Sequence, residues 1–393
     1  MTDVSAPPHS LFPAARRDGV GGVRVLVTGQ VGLDKGSFLQ QVVDIARQNG
    51  HEVELFNVGE LMCAEAPDIV PRRILDLPRQ RLTALRRSVF KDIERVASTG
   101  VDLIVNTHAT FRWKHGLFHA FDHAQIERLQ PDLYVTMVDN VDAVHERLVR
   151  EHEIKHTFKD ILVWREEEIV VTETMAEAVA GYGRAFVLSR ANPRINTMSL
   201  YRLMFEPHRK RVYPSFPMTH VFDLPDTMRE IEHFRDMLAE HFITFDPADL
   251  DEKKLLFEAG EATKRGEDEV ELSVAGRTIT VSVSEITRVA RDIDAQIYAR
   301  DFKLIDQSEI IVSYIPVLPG GRPGISSGVE RELQHAFEST KEVYVVWRPD
   351  GEPSPFITNT ATHVFRTLDE LFAHFQEAGY LGDYQLPLPK PRA

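Results

Sequence analysis

Short runs of β-branched residues recur along this chain, each separated from the next by a stretch whose apolar residues have helical spacing, and this alternation leaves few folds open. The first run, Val23 to Gly29 (VRVLVTG), is followed by a glycine-punctuated loop and the helical pattern SFLQQVVDIARQNG. HEVELFNV, Val101 to Ala109 (VDLIVNTHA) and Pro131 to Asn140 (PDLYVTMVDN) read as further strands with helical stretches between them. Buried strands that alternate with helices predict a parallel sheet covered on both faces.

Between Arg190 and Arg211 the pattern breaks, and after Pro207 it restarts with RVYPSF, a helix opened by Pro225 and Asp226, and the strand FITFDP. SEIIVSYIP and EVYVVWRP are further strands, with SSGVERELQHAFEST as a helix between them. EVELSVAGRTITVSV alternates apolar and polar residues around Ala275-Gly276, which predicts an inserted β-hairpin. At 393 residues the chain exceeds what one core usually organises. The expected division is a flexible leader over 1–22, one α/β domain over 23–206, a second over 207–385, and a tail over 386–393.

Charge and cysteine content narrow the function classes. A net charge of −14 argues against binding extended nucleic acid, although a local basic pocket for a small phosphate is compatible with it. No apolar stretch is long enough to span a membrane, and the amino terminus lacks a hydrophobic signal core. The one cysteine, Cys63, rules out an internal disulfide framework and agrees with a reducing compartment. A cytoplasmic protein is the expectation.

The loop Thr28 to Ser37 (TGQVGLDKGS) lies between a strand and a helix, where backbone N–H groups and the helix amino terminus can face phosphate. Gly29, Gly32 and Lys35 fall in register with a Walker A loop. Asp34 stands where that loop has glycine, and Gly36 takes the hydroxyl position that would hold magnesium, leaving Ser37 one place late. A nucleotide should therefore bind, while Asp34 should repel it and weaken phosphoryl transfer unless it pairs with Lys35 or points outward.

This loop, together with FNVGELM, VNTHATFRWKHGLFHAF and PDLYVTMVDNVDAVHERLVR, makes residues 23 to 190 resemble the archaeal-type adenylate kinase family. The resemblance implies ATP or ADP with magnesium as cofactor. It implies that Thr107 and His108 line the substrate cleft and that Arg147 and Arg150 contact phosphates. Asn106 stands where the family has an acidic residue.

His152 to His156 (HEIKH) satisfies the H-E-x-x-H spacing that puts two imidazoles on one helical face for zinc, with Glu173 or Glu177 available as a third ligand. Its charged flanks favour a solvated lid helix instead, so no metal site is expected.

In the second half, VYPSFPMT, IYARDFKLIDQSEIIV, GISSGVERELQHAF and RPDGEPSPF occur in order on alternating strands and helices. The set resembles the nucleoside 2-deoxyribosyltransferase family and its relatives that hydrolyse deoxynucleoside 5'-monophosphates. A flavodoxin-like or Rossmann-like domain is the implied fold. Glu332 matches the family's attacking carboxylate, which forms a covalent glycosyl intermediate at C1'. Asp301 matches the second carboxylate, which manages the proton of the leaving base, and Tyr213 the tyrosine near the nucleophile. Ser326, Ser327 and Gly328 suit a sugar hydroxyl or 5'-phosphate. Ser354 matches a serine that related hydrolases bring from a neighbouring subunit, which implies a homodimer or larger homo-oligomer.

The implied fold class is thus α/β with two domains, a P-loop kinase-like sheet followed by a deoxyribosyltransferase-like one. The implied activity is cleavage or exchange of an N-glycosidic bond in a nucleoside or nucleotide. Two alternatives stay open at this point: a nucleotide-sensing interaction protein without turnover, and a nucleotide kinase with a regulatory carboxyl-terminal domain.

Overall fold

The computed structural model describes residues 21–69, 74–113, 116–152, 156–274 and 276–382. The expected tail and nearly all of the expected leader lie outside these, as do Glu153, Ile154 and Lys155 of the histidine motif. Two separate five-stranded sheets form, both wholly parallel.

The first sheet takes Arg24–Thr28, Val53–Asn57, Asp102–Asn106, Leu133–Val138 and Ala185–Ser189. Numbered along the chain, these strands lie in the order 2-3-1-4-5. The helix Lys35–Gln48 buries Phe38, Leu39, Val42, Val43 and Ala46, whose spacing puts them on one face against the sheet. The long helix Phe158–Ala180 starts at a capping box in which Thr157 and Asp160 satisfy each other's backbone N–H groups. A small hairpin, Thr110–Trp113 with Gly116–His119, follows the third strand and lies apart from the sheet.

The second sheet takes Arg211–Ser215, Ile243–Thr244, Ile310–Ile315, Glu342–Trp347 and His363–Phe365, in the order 2-1-3-4-5. That order is the flavodoxin-like one, which reverses direction between strands one and three and opens a crevice at their carboxyl ends. The expected strand FITFDP shrinks to the two residues Ile243–Thr244. Asp246 then accepts from the Ala248 backbone N–H at 2.9 Å, turning the chain into a short 3₁₀ segment. The hairpin forms as Glu269–Val274 and Arg277–Ser282, closed at the Val274–Arg277 pair.

The two halves are not independently packed. One contiguous apolar cluster includes Val27, Val135 and Leu188 from the first and Phe245, Ile286 and Val345 from the second. The helix Pro193–Phe205, just before the expected boundary, stacks Phe205 on His51 and sends Arg202 to the carbonyls of Ala239 and Phe242. At the open edge of the first sheet, Gln307 bonds both backbone groups of Val187 at 2.9 Å, substituting for a missing strand neighbour. No helix among the described residues is long and apolar enough to cross a membrane.

Candidate functional sites at the two sheet edges

The phosphate loop leaves the first strand at its carboxyl end. Gly29 has φ 128°, and an added Cβ would lie 2.6 Å from both the Met137 carbonyl oxygen and Leu33 Cδ1, so only glycine lets the loop pass. Gly32, at φ 88°, is confined in the same way by Leu148. Lys35 is buried, with Nζ donating to the Gly29 carbonyl at 2.7 Å and lying 3.4 Å from His108 Nδ1. Burial lowers its ammonium from the usual range to about 8, and the nearby Glu168 carboxylate offsets part of that fall.

Glu168 is the residue here that sequence reasoning missed. It is 1% exposed, and its carboxylate accepts from the Gly29 N–H at 2.8 Å, from the Ala109 and Thr110 N–H groups, and from the Thr110 hydroxyl. Its signal was in the sequence: Trp164, Glu168, Thr172 and Met175 share one buried helical stripe, where a carboxylate needs a polar reason.

Asp34 takes the left-handed conformation, φ 49°, as the residue before the helix. Its carboxylate accepts from the Ser37 hydroxyl at 2.6 Å and pairs with Arg190 at 2.7 Å. The charge of Asp34 is thus met by Arg190 rather than by Lys35. Arg190, the residue after the fifth strand, neutralises it, and sequence reasoning had no means of placing those two residues together.

The other expected residues divide. Thr107 is buried, with its N–H on the Val27 carbonyl, and the His108 ring nitrogen lies 2.6 Å from the Gly29 carbonyl, so both stand beside the loop. Arg147 lies beneath it, 7% exposed, donating to the Gly32 carbonyl at 3.0 Å and to Asp139 at 2.7 Å. Arg150 pairs with Glu146 and Glu151 at the surface. Arg147 thus shapes the loop from behind, with its donors committed there.

The helix Val141–His152 ends at the first histidine of HEIKH, and the next helix begins at Phe158, so His156 does not share a helix with it. His156 is half-buried between Trp113 and Trp164, ring centroids 6.4 and 5.9 Å away, and burial lowers its pKa. At His156 the chain is neither helical nor freely solvated, in contrast to the lid helix expected there, while residues 153–155 lie outside the described residues. Among the described residues no group of three or more His, Cys, Asp or Glu is arranged to hold a metal.

At the second sheet, the switch between strands one and three brings together groups far apart in sequence. Glu332, on the helix Ser327–Glu338, accepts from the Tyr213 hydroxyl at 3.0 Å and from the Ser215 hydroxyl at 2.6 Å. Ser313, on strand three, donates in turn to Ser215 at 3.4 Å. Burial drives the Glu332 carboxyl up to about 7, with the negative charge of Asp301 adding to the rise and the Ser215 and Tyr213 hydrogen bonds opposing it. Asp301, on the helix Val283–Asp306, is pushed up to about 6, again by burial first, with Arg300 at 3.4 Å restraining it. Burial, and then the Glu332 charge, raise the Tyr213 hydroxyl well above its usual value.

Ser326 caps the Glu332 helix by accepting from the Val329 N–H at 3.2 Å, and Ser327 and Gly328 are exposed in its first turn. Glu330 points to solvent. Ser354 is exposed in the stretch after strand four, just before the short helix Pro355–Thr358 that carries the exposed Phe356. Ser215 and Ser313 were not anticipated.

The strand order, the loop and Lys35 define the amino-terminal half as a P-loop, kinase-like, nucleotide-binding domain. Among protein families, the AAA domain family matches residues 28–163. An adenylate kinase from Methanoculleus marisnigri is 22% identical over 130 residues, which cover 31% of this chain and 66% of that kinase, just under two thirds of its length. Among solved structures, a gluconokinase from Sinorhizobium meliloti 1021 shares 14% identity over 48% of this chain and 98% of its own, with a TM-score of 0.28. A shikimate kinase from Bacteroides thetaiotaomicron shares 13% over 46% and 97%, with a TM-score of 0.31.

Proposed function

We propose that this chain is a nucleotide-dependent enzyme whose amino-terminal domain binds ATP or ADP and transfers a phosphoryl group to a small molecule of the nucleoside or nucleotide class. The observation that carries this reading is the answered charge of Asp34. With Arg190 and Ser37 holding that carboxylate, the loop presents the Lys35 cation and its backbone to phosphate without net repulsion. The confined glycines and buried cation fit a nucleotide phosphate. Magnesium, when bound with it, would supply further neutralisation of charge. Incubation of the protein with ATP and a panel of nucleosides and nucleotides should give phosphorylated product that Lys35→Ala removes. Absence of transfer to every member, with ATP still bound, would leave a sensing domain.

A second reading concerns the other sheet and is favoured by the Tyr213, Ser215, Asp301 and Glu332 arrangement. In it, ionised Glu332 attacks C1' of a nucleoside or nucleotide, and the glycosidic bond electrons leave with the base, which takes a proton from Asp301. Water or another base then displaces Glu332. Ser326, Ser327 and Gly328 hold the sugar or its phosphate, and Ser354 is assigned to a contact with a second copy of the chain. Release of free base from the same panel, absent in Glu332→Gln, is the test. A folded Glu332→Gln protein with full base release would end this reading.

A further inference from the structure

Asp249 belongs to the second half of the chain, in the 3₁₀ segment Pro247–Asp249, and its buried carboxylate faces the first half. Oδ1 accepts from the Asn192 side-chain amide at 2.9 Å and Oδ2 from that of Asn196 at 2.7 Å. The Ser189 hydroxyl donates to the Asp249 carbonyl at 3.3 Å. Ser189 to Asn192 is the link from the fifth strand of the first sheet to the helix Pro193–Phe205, so both ends of the link are tied to Asp249. Arg190 sits between those ties and reaches the other way, to Asp34 in the phosphate loop at 2.7 Å.

Asn192 gives up an ordinary role to make this contact. It occupies the cap position of its helix, where an asparagine side chain usually accepts from the first turn, yet it makes no such bond. Its amide goes to Asp249 instead. Burial first, and then the Asp246 carboxylate, raise the pKa of Asp249, while Arg235 and the two asparagine amides oppose that rise. A buried polar cluster with its bonds made fixes one arrangement of the segments it joins.

We propose that Asp249 is a positioning residue for the nucleotide: by holding the link from Ser189 to Asn192 it keeps Arg190 on Asp34, so that the second half of the chain sets the affinity of the phosphate loop. The proposal rests on the nucleotide-binding reading and carries it across the junction between the halves. Without the Asp249 carboxylate, Asn192 and Asn196 lose their partner, Arg190 is free to turn away, and Asp34 is left to repel the incoming phosphates. The same segment borders the second site. Arg235 pairs with Asp246 at 2.6 Å and lies 5.5 Å from the ring of Phe216, the neighbour of Ser215, and the Asp246 charge is felt at Asp301. One turn of chain is therefore a wall common to both sites.

The full chain is titrated calorimetrically with ADP as wild type, Asp249→Ala, Asp249→Asn, Asp34→Asn and the double variant Asp34→Asn with Asp249→Ala. Asp249→Ala should weaken ADP by about 10-fold, the ratio for one lost bond to a charged group. Asp249→Asn, which can meet both amides once one of them turns over, should stay within about 3-fold of wild type. In the double variant Asp249→Ala should weaken ADP no further than Asp34→Asn alone. Asparagine keeps the left-handed backbone at position 34, and Arg190 then has no charge to answer. A chain merely loosened by the loss of Asp249 would carry the same loss into both backgrounds, and that result overturns the proposal. Wild-type affinity in Asp249→Ala, or an Asp249→Asn protein as weak as Asp249→Ala, overturns it too. If Asp249→Ala fails to fold, Asn192→Ala cuts the same tie from the other side and is judged by the same outcomes. Failure of wild type to bind ADP removes the nucleotide reading and the proposal together. The expected order of affinities without phosphoryl transfer to any acceptor would instead remove the kinase reading and keep the proposal.

Discussion

Arg165 donates from Nη1 to Oε1 of Glu252 at 2.7 Å and from Nη2 to Oε2 at 3.1 Å, in a side-chain pair that is 5% and 0% exposed. The two residues come from different halves of the chain. Arg165 also bonds Gln296 at 2.6 Å and the Asp139 carbonyl at 3.3 Å, and Glu252 accepts from the Val141 N–H. The helix that carries Glu168 to the phosphate loop is thereby tied to the one that carries Asp301.

Removing one partner of this pair leaves the other charged and buried. Arg165→Met should destabilise the chain by about 3–5 kcal/mol, as broken buried pairs do. Denaturant unfolding of wild type and variant measures it, and a loss below about 1 kcal/mol would mean that water reaches the pair.

Lys35 makes nucleotide binding sensitive to pH in a range where an ordinary lysine is indifferent. Burial brings its ammonium to about 8, so the cation that faces phosphate is lost as pH rises through that value. Affinity for ADP should fall between pH 7 and 9, and the fall should vanish in Lys35→Arg, whose guanidinium stays charged. Calorimetric titration at the two pH values checks this. Equal affinities in wild type would show that Lys35 does not meet the nucleotide.

The Glu332 carboxyl leaves a signature in stability as well as in chemistry. Its folded pKa, about 7, lies above its unfolded value, so the folded chain binds the extra proton. The contribution is fully present below the unfolded value and is lost as pH rises through about 7. Thermal melts from pH 5 to 8 should therefore show Glu332→Gln gaining on wild type as pH rises. Base release, which needs Glu332 ionised and Asp301 protonated, should peak between about 6 and about 7 and fall on either side.

Gly29→Ala tests the loop without touching a charge. The added methyl would meet the Met137 carbonyl at 2.6 Å, at a φ that disfavours alanine. ADP binding should be lost while the carboxyl-terminal site keeps its geometry. Normal ADP affinity in this variant would mean that the loop is free to move as a whole.

Much of this was legible from local pattern. The strand runs from Val23 and Val101 carry their apolar residues in sequence, and the Ala275-Gly276 turn marks the hairpin between two alternating strands. Glu332, Asp301 and Tyr213 were picked out by resemblance, and the fold brings the three together. FITFDP failed as a long strand because Asp246 turns the backbone after Thr244, a local hydrogen bond that hydrophobicity does not register. Arg147 was read as a phosphate contact, and in sequence an arginine after a strand looks the same whether it faces a ligand or, as here, bonds the underside of a loop.

By itself the sequence determined which segments are strands, which are helices, and where a phosphate loop sits, since those depend on side-chain period and turn residues within a few positions of one another. Only the tertiary structure decided that Arg190 answers Asp34 across 156 positions, that Glu168 takes the Gly29 N–H, and that Ser215 and Tyr213 hold Glu332. Those contacts follow from strand order, and a run such as VRVLVT is equally apolar beside any neighbour in the sheet. The burial that raises Glu332 arises there too, because a side chain's electrostatic surroundings are set by what packs over it rather than by what precedes it.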